Sequence, residues 1–247
     1  MSDDLHRLVI FDDDEWAEET ARLLAERIQT IIDARGHCTF ALSGGSTPAP
    51  VFHALAQREL DWDRVVLLQA DERVVPADDP ARNLVMQREA FADLPVAWLP
   101  LPVDQLLEEG TALDLDPASA PPIAERSGAV AAFVEQLHRL ADDPAVVDVI
   151  HLGLGDDGHT ASLFPDDPAL QVLRDPVAVT GEQAGHRRMT LTRPVLDRAR
   201  SVFWLVRGSS KVPALGRLLA GDLAIPAGLV MPAMSVVVAD AAAARQA

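Results

Sequence analysis

Cys38-Thr39-Phe40-Ala41-Leu42-Ser43-Gly44-Gly45-Ser46-Thr47-Pro48 is an uncharged run that breaks into glycines and hydroxyls and then meets a proline. Its first five residues read as a buried strand over 38–42. An early proline suits the first turn of a helix, predicted over 48–57. Strand, glycine turn and helix in succession are the building unit of a parallel α/β sheet. Such a turn places free backbone N–H groups at a helix start. There Gly44 and Gly45 admit an anion closely, and the hydroxyls of Ser43, Ser46 and Thr47 add donors. Two other readings use the same residues: ordinary capping by Ser or Thr, and a nucleophile elbow with Ser43 attacking and His159 or His186 as its base. No Gly-Lys-Ser/Thr follows, so this is not a Walker loop.

Working outward, further apolar runs predict strands over 8–11, 65–69, 146–152, 201–206 and 235–239. Helical stripes fall between them. Capping candidates at 12–15 precede Trp16, Leu23, Leu24, Ile28, Ile31 and Ile32, which recur at helical spacing up to Gly36. Helices are also expected over 82–91, 123–140 and 211–219. This alternation predicts an α/β protein with a mostly parallel sheet and helices on both faces, one domain over residues 1–247. Residues 110–122, rich in Pro, Ala and Asp, are expected to form a surface loop, and 241–247 a frayed tail.

Composition narrows the partners. A net charge of −17 argues against nucleic-acid and membrane surfaces. An anionic ligand can bind such a chain only where cations and N–H groups converge. Lys211 is the only lysine among 21 basic residues; it marks either a place where a compact ammonium has a use that an arginine fork does not, or a chance survival in an arginine-biased chain. A lone cysteine, Cys38, excludes an internal disulfide and a multi-thiolate metal site. No basic-then-apolar leader follows Asp3 and Asp4, and no apolar run reaches a membrane span. A cytoplasmic protein, monomeric or weakly dimeric, is the expectation.

Two clusters follow predicted strands. Gly153-Leu154-Gly155-Asp156-Asp157-Gly158-His159 matches the dinucleotide fingerprint by its glycines. Two aspartates beside a pyrophosphate, and Pro165 in the helix that should follow, argue against that ligand. The glycines instead set His159 in an open turn. An imidazole titrates near pH ~6.5 and can accept a proton at neutral pH, and Asp156 or Asp157 can orient its second nitrogen or cap the following turn; a satisfied structural histidine is the competing reading. His151 lies inside the strand and reads as structural. Asp71-Glu72-Arg73 follows the 65–69 strand, and on local grounds a solvated turn is its better reading. No metal-ligand spacing is present, so neither metal nor cofactor is expected.

Taken together, these stretches resemble the 6-phosphogluconolactonase family. The matching segments are Ser43-Gly44-Gly45-Ser46-Thr47-Pro48, Asp71-Glu72-Arg73-Val74-Val75-Pro76, Arg188-Met189-Thr190-Leu191-Thr192 and Gly208-x-x-Lys211. The most specific is Gly153-x-Gly155-x-Asp157-Gly158-His159-Thr160-Ala161-Ser162-Leu163-Phe164-Pro165. The resemblance implies a Rossmann-like fold of the NagB/RpiA type and hydrolysis of 6-phospho-D-glucono-1,5-lactone in the oxidative pentose phosphate pathway. It assigns His159 as general base with Asp71 as a polar member of the catalytic set. It assigns the phosphate to Arg73, Arg188 and Lys211 with Ser43, Gly44, Gly45, Ser46 and Thr47, and carries over Asn83. The implied partner is a small phosphorylated sugar lactone.

Two departures stand out. Gly185-His186-Arg187 replaces the family's usual prolines, leaving Arg187 as a rival to Arg188, and Arg82-Asn83 replaces Ser-Asn. Glucosamine-6-phosphate deaminase is the nearest sister, but its histidine is followed by Ile-Ala-Phe-Asn-Glu-Pro rather than Thr160-Ala161-Ser162-Leu163-Phe164-Pro165. A sugar-phosphate sensor is the non-enzymatic alternative, and this chain has no basic patch for DNA.

Overall fold

The computed structural model describes residues 5–117 and 119–245, so Asp3 and Asp4 lie outside the described residues. The strands are β1 (Arg7–Phe11), β2 (Cys38–Leu42), β3 (Val65–Gln69), β4 (Asp71–Arg73), β5 (Ala97–Leu99), β6 (Val149–Leu152), β7 (Val177–Val179), β8 (Arg188–Leu191), β9 (Ser201–Val206) and β10 (Ser235–Asp240). The helices are α1 (Trp16–Arg35), α2 (Ala49–Ala56), α3 (Asn83–Ala90), α4 (Val103–Glu108), α5 (Ile123–Arg126), α6 (Gly128–Ala141), α7 (Arg193–Arg198) and α8 (Val212–Leu219).

Seven strands form one sheet in the order β1-β10-β9-β6-β2-β3-β5, with every pairing parallel. Successive side chains of a strand point to opposite faces. Phe40 and Leu42 pack with Trp16, Ile28 and Phe52 of α1 and α2, while Ala41 joins Leu137, Leu196 and Leu215 of α6, α7 and α8. Helices therefore cover both faces, as the alternating pattern predicts. From β2 the chain steps to β3, and from β6 to β9 on the other side. The crevice between the carboxyl ends of β2 and β6 is thus a topological switch point, where ligands gather in open α/β sheets.

Four expectations need correction. The 71–73 segment is a strand, not a solvated turn: β4, β8 and β7 form a second, antiparallel sheet. Its polar residues are buried because each finds a partner. Glu72, fully buried, accepts hydrogen bonds from Gln69 Nε2 and from the backbone N–H groups of Arg73, Asn83 and Leu84. It thereby satisfies the open N-terminus of α3. The 123–140 helix is broken at Ser127, whose extended backbone lets its hydroxyl cap the Val130 N–H. No side chain of 12–15 caps α1; the Asp12 carbonyl takes the Glu15 N–H instead. The end of the chain does not fray at 241, because Ala243 is buried and its N–H reaches Asp240 Oδ1; residues 246–247 lie outside the described residues. Among the described residues, no helix is long and apolar enough to cross a membrane.

Candidate active site

The glycine turn after β2 and the histidine turn after β6 open onto one cavity of about 510 Å³. Ser43, Gly44, Gly45, Thr47, Asp71, Arg73, Asn83, His159, Arg188 and Lys211 all line it; Ser46 points to solvent and does not. Two pieces of the second sheet supply the far wall. Antiparallel pairing sets Arg73 directly opposite Arg188, so two guanidinium groups are held side by side. Like charges so placed repel unless an anion joins them.

Asp71 is a buried carboxyl that feels both arginines. It accepts a 2.6 Å hydrogen bond from Ser162 Oγ. Burial pushes its pKa up, against the pull of Ser162 and of both arginines. Arg188 has its guanidinium over the Phe164 ring, 5.1 Å from the centroid, and its Nε is buried without a hydrogen-bond partner. Burial, then repulsion from Arg73, lowers its pKa. Its neighbour in sequence, Arg187, donates to the Thr180 carbonyl and does not line the cavity.

Asn83 ties the walls together. Its Oδ1 accepts from Arg73 Nη1 and its Nδ2 donates to the Asp71 carbonyl. The glycine turn passes so close that a Cβ on Gly44 would lie 1.8 Å from Asn83 Oδ1.

His159 sits in the second turn with its ring 31% exposed. Its Nδ1 lies 2.6 Å from Asp157 Oδ1, and its backbone N–H donates to the same oxygen. Burial would raise the Asp157 carboxyl, but these hydrogen bonds from His159 hold it below its ordinary range. An ionised Asp157 can only accept, so its contact favours the tautomer with the proton on Nδ1 whenever the ring is neutral. Asp156, the other aspartate of the turn, instead bonds Lys211 Nζ at 2.6 Å. A Cβ on Gly155 would lie 2.1 Å from His159 Nδ1, so only glycine leaves room for the Asp157–His159 pair.

Sequence reasoning missed Arg207, which also lines the cavity. It stacks over Trp16 and donates to Asp13. Its position just after the 201–206 strand, at the sheet's carboxyl edge, was the available signal. The lining then holds four cations (Arg73, Arg188, Arg207, Lys211) against three carboxylates (Asp71, Asp156, Asp157), a local excess of positive charge in a chain of net −17.

The nucleophile-elbow reading finds no support in this geometry. Ser43 Oγ donates to the His151 carbonyl at 3.2 Å, and Ser43 is not among the residues with positive φ. The dinucleotide fingerprint fails too, since no helix starts at the Gly158 turn and residues 159–167 are non-helical.

His151 is structural: its Nδ1 accepts from the Ser43 N–H and its edge meets Phe52. Burial pushes its pKa down to about 3, below the ~6.5 of an unfolded imidazole. The unfolded chain therefore binds a proton that the folded chain refuses. Stability is full above ~6.5 and falls towards pH 3, at up to about 1.4 kcal/mol per pH unit from this residue. Urea unfolding at several pH values should show a flatter acid limb for His151→Leu; equal slopes would contradict this account.

Comparison with known proteins accords with these motifs. The family model described as glucosamine-6-phosphate isomerases/6-phosphogluconolactonase matches residues 11–239. A 6-phosphogluconolactonase of Nostoc sp. is 37% identical over 218 residues, 85% of this chain and 84% of that protein. The chain belongs to the 6-phosphogluconolactonase family. A second relative of that name, from Synechocystis sp., is 40% identical over 200 residues, covering 79% of this chain and 77% of that protein. Among solved structures, the 6-phosphogluconolactonase of Shewanella baltica superposes with a TM-score of 0.75 at 27% identity, covering 96% of this chain and 98% of that one. The family's fold is thus this chain's fold, and the two turns and two arginines described above lie within the matched span.

Proposed function

We propose that this protein hydrolyses 6-phospho-D-glucono-1,5-lactone to 6-phospho-D-gluconate, with His159 as general base. The observation that carries this reading is that the Asp157–His159 pair and the paired arginines 73 and 188 line one cavity. A base and an anion clamp in one cavity suit a substrate that carries both a phosphate and a reactive carbonyl. Family membership supports the same substrate, and with it a step in the oxidative pentose phosphate pathway.

The chemistry follows from the groups present. The phosphate takes Arg73, Arg188 and Lys211, which leaves Asp156 for it, and the N–H groups of the glycine turn. Remote binding energy thereby fixes C1 beside His159. Nε2 removes a proton from water as the oxygen attacks C1, giving a tetrahedral oxyanion, and Asp157 stabilises the imidazolium. The carbonyl re-forms, the C1–ring-oxygen bond breaks, and the imidazolium returns its proton to the departing oxygen. A δ-lactone is already activated, so positioning and one base suffice.

Freshly prepared 6-phosphogluconolactone should open faster with the purified protein than spontaneously; an unchanged rate ends the proposal. Two variants test its parts. Gly155→Ala should cost about 10²-fold in kcat, because the new Cβ displaces the base, while its melting temperature stays close to wild type. Wild-type turnover would show that the Asp157–His159 geometry is not required. Ser43→Ala should cost no more than about tenfold, the loss of one neutral hydrogen bond. Abolished turnover would instead restore Ser43 as the nucleophile.

A further inference from the structure

Phe164 lies beneath both halves of the site. Its ring stacks on His159 with centroids 4.4 Å apart and planes at 33°, and the same ring carries the Arg188 guanidinium at 5.1 Å. Phe164 is 8% exposed. The chain before it is fastened to the second sheet: Ser162 Oγ donates to Asp71, and Ser162 N–H donates to Thr190 Oγ1. The ring is therefore a fixed platform. The two groups on it are less fixed, since among the described residues His159 is hydrogen-bonded by the Asp157 side chain alone and Arg188 Nε has no hydrogen-bond partner.

We infer that Phe164 is a positioning residue that sets the base and the anion-binding arginine from one surface, so that an anion on Arg188 is felt at the His159 ring. The physical route is short. A guanidinium is attracted to the negative face of the ring, and the imidazole takes its tilt from packing against that ring. When a phosphate draws Arg188 towards itself, the cation's hold on the ring changes while the ring stays in place, and the imidazole packed on that ring re-settles against it. Remote phosphate binding would then improve alignment at C1, beyond simply retaining the substrate.

The inference rests on His159 as base and Arg188 as phosphate ligand, and its test separates the two. The ring resonances of His159 are followed by NMR in protein carrying labelled histidine, assigned with His159→Gln, while inorganic phosphate is titrated to saturation. In wild type, the Phe164 ring current moves the His159 signal upfield, and phosphate shifts it further. In Phe164→Leu the upfield displacement should vanish and most of the phosphate response with it, even at saturation. An unaltered response in the leucine variant would overturn the inference. On the kinetic side, Phe164→Leu should lower kcat and raise KM together, with kcat/KM down about tenfold or more from losing two ring contacts. Phe164→Tyr, which keeps the ring, should recover most of it. Wild-type kcat and KM in Phe164→Leu would also overturn the idea. Should the leucine variant not fold, Phe164→Met, unbranched and better able to fill an irregular gap, answers the same question. A wild-type protein without lactonase activity but with the NMR coupling intact would sink the functional reading and leave this inference standing.

Discussion

His159→Ala should lower kcat about 10²–10⁴-fold, the usual worth of a positioned general base, with little change in melting temperature. The ring is partly exposed, and its one side-chain hydrogen bond is to an aspartate at the surface of the turn. Little of the fold depends on it. Asp157→Asn should fall between the variant and wild type, because an amide can turn its N–H groups towards Nδ1 and favour the wrong tautomer. Steady-state kinetics on fresh substrate, corrected for spontaneous opening, decides the matter. A kcat near the wild-type value in His159→Ala would remove the base from the mechanism and leave electrostatic positioning alone.

Arg188→Met should reduce kcat/KM for the phosphorylated lactone by about 10²–10³-fold, as expected when a desolvated charge partner is lost. Most of the effect should appear in KM. The argument comes from the state of the side chain before substrate arrives. Arg188 is half-buried, its pKa lowered by burial and by Arg73, and it lacks the carboxylate hydrogen bond that Lys211 has with Asp156. Phosphate therefore meets an under-satisfied cation at Arg188 but must displace a partner at Lys211, so Lys211→Ala should cost less. Unphosphorylated gluconolactone supplies the control, since its hydrolysis should be nearly indifferent to Arg188→Met. Equal losses for both lactones would take Arg188 out of the phosphate site. Arg187→Met, outside the cavity, should leave both unaffected.

Much of this was readable from the chain because fully buried parallel strands are written as uninterrupted apolar runs. The 38–42, 65–69 and 201–206 strands fell at their observed bounds for that reason. The second sheet was hidden for the opposite reason. Its strands are three or four residues long and carry Asp71, Glu72, Arg73 and Arg188, whose burial makes sense only once Ser162 and the start of α3 are seen to meet them. His159 announced itself through its glycine-rich turn. The choice between Asp156 and Asp157 could not be made locally, since adjacent aspartates differ only in which partner the fold brings near: Lys211 for one, the imidazole for the other. Arg187 and Arg188 are separated by strand alternation, a property of the β4–β8 pairing and not of either residue.

That pairing has a consequence for how the molecule responds to its own ligand. Arg73 and Arg188 come from well-separated parts of the chain and meet only when β4 and β8 have joined. The unfolded chain has no equivalent of this clamp, so an anion that occupies it draws the folding equilibrium towards the native state in proportion to ln(1 + [L]/Kd). A phosphorylated ligand that occupies the clamp should therefore raise the melting temperature, which thermal unfolding with and without inorganic phosphate checks. On that account the stability of each copy would track the amount of anionic ligand around it, a link between occupancy and folding that neither arginine could make alone.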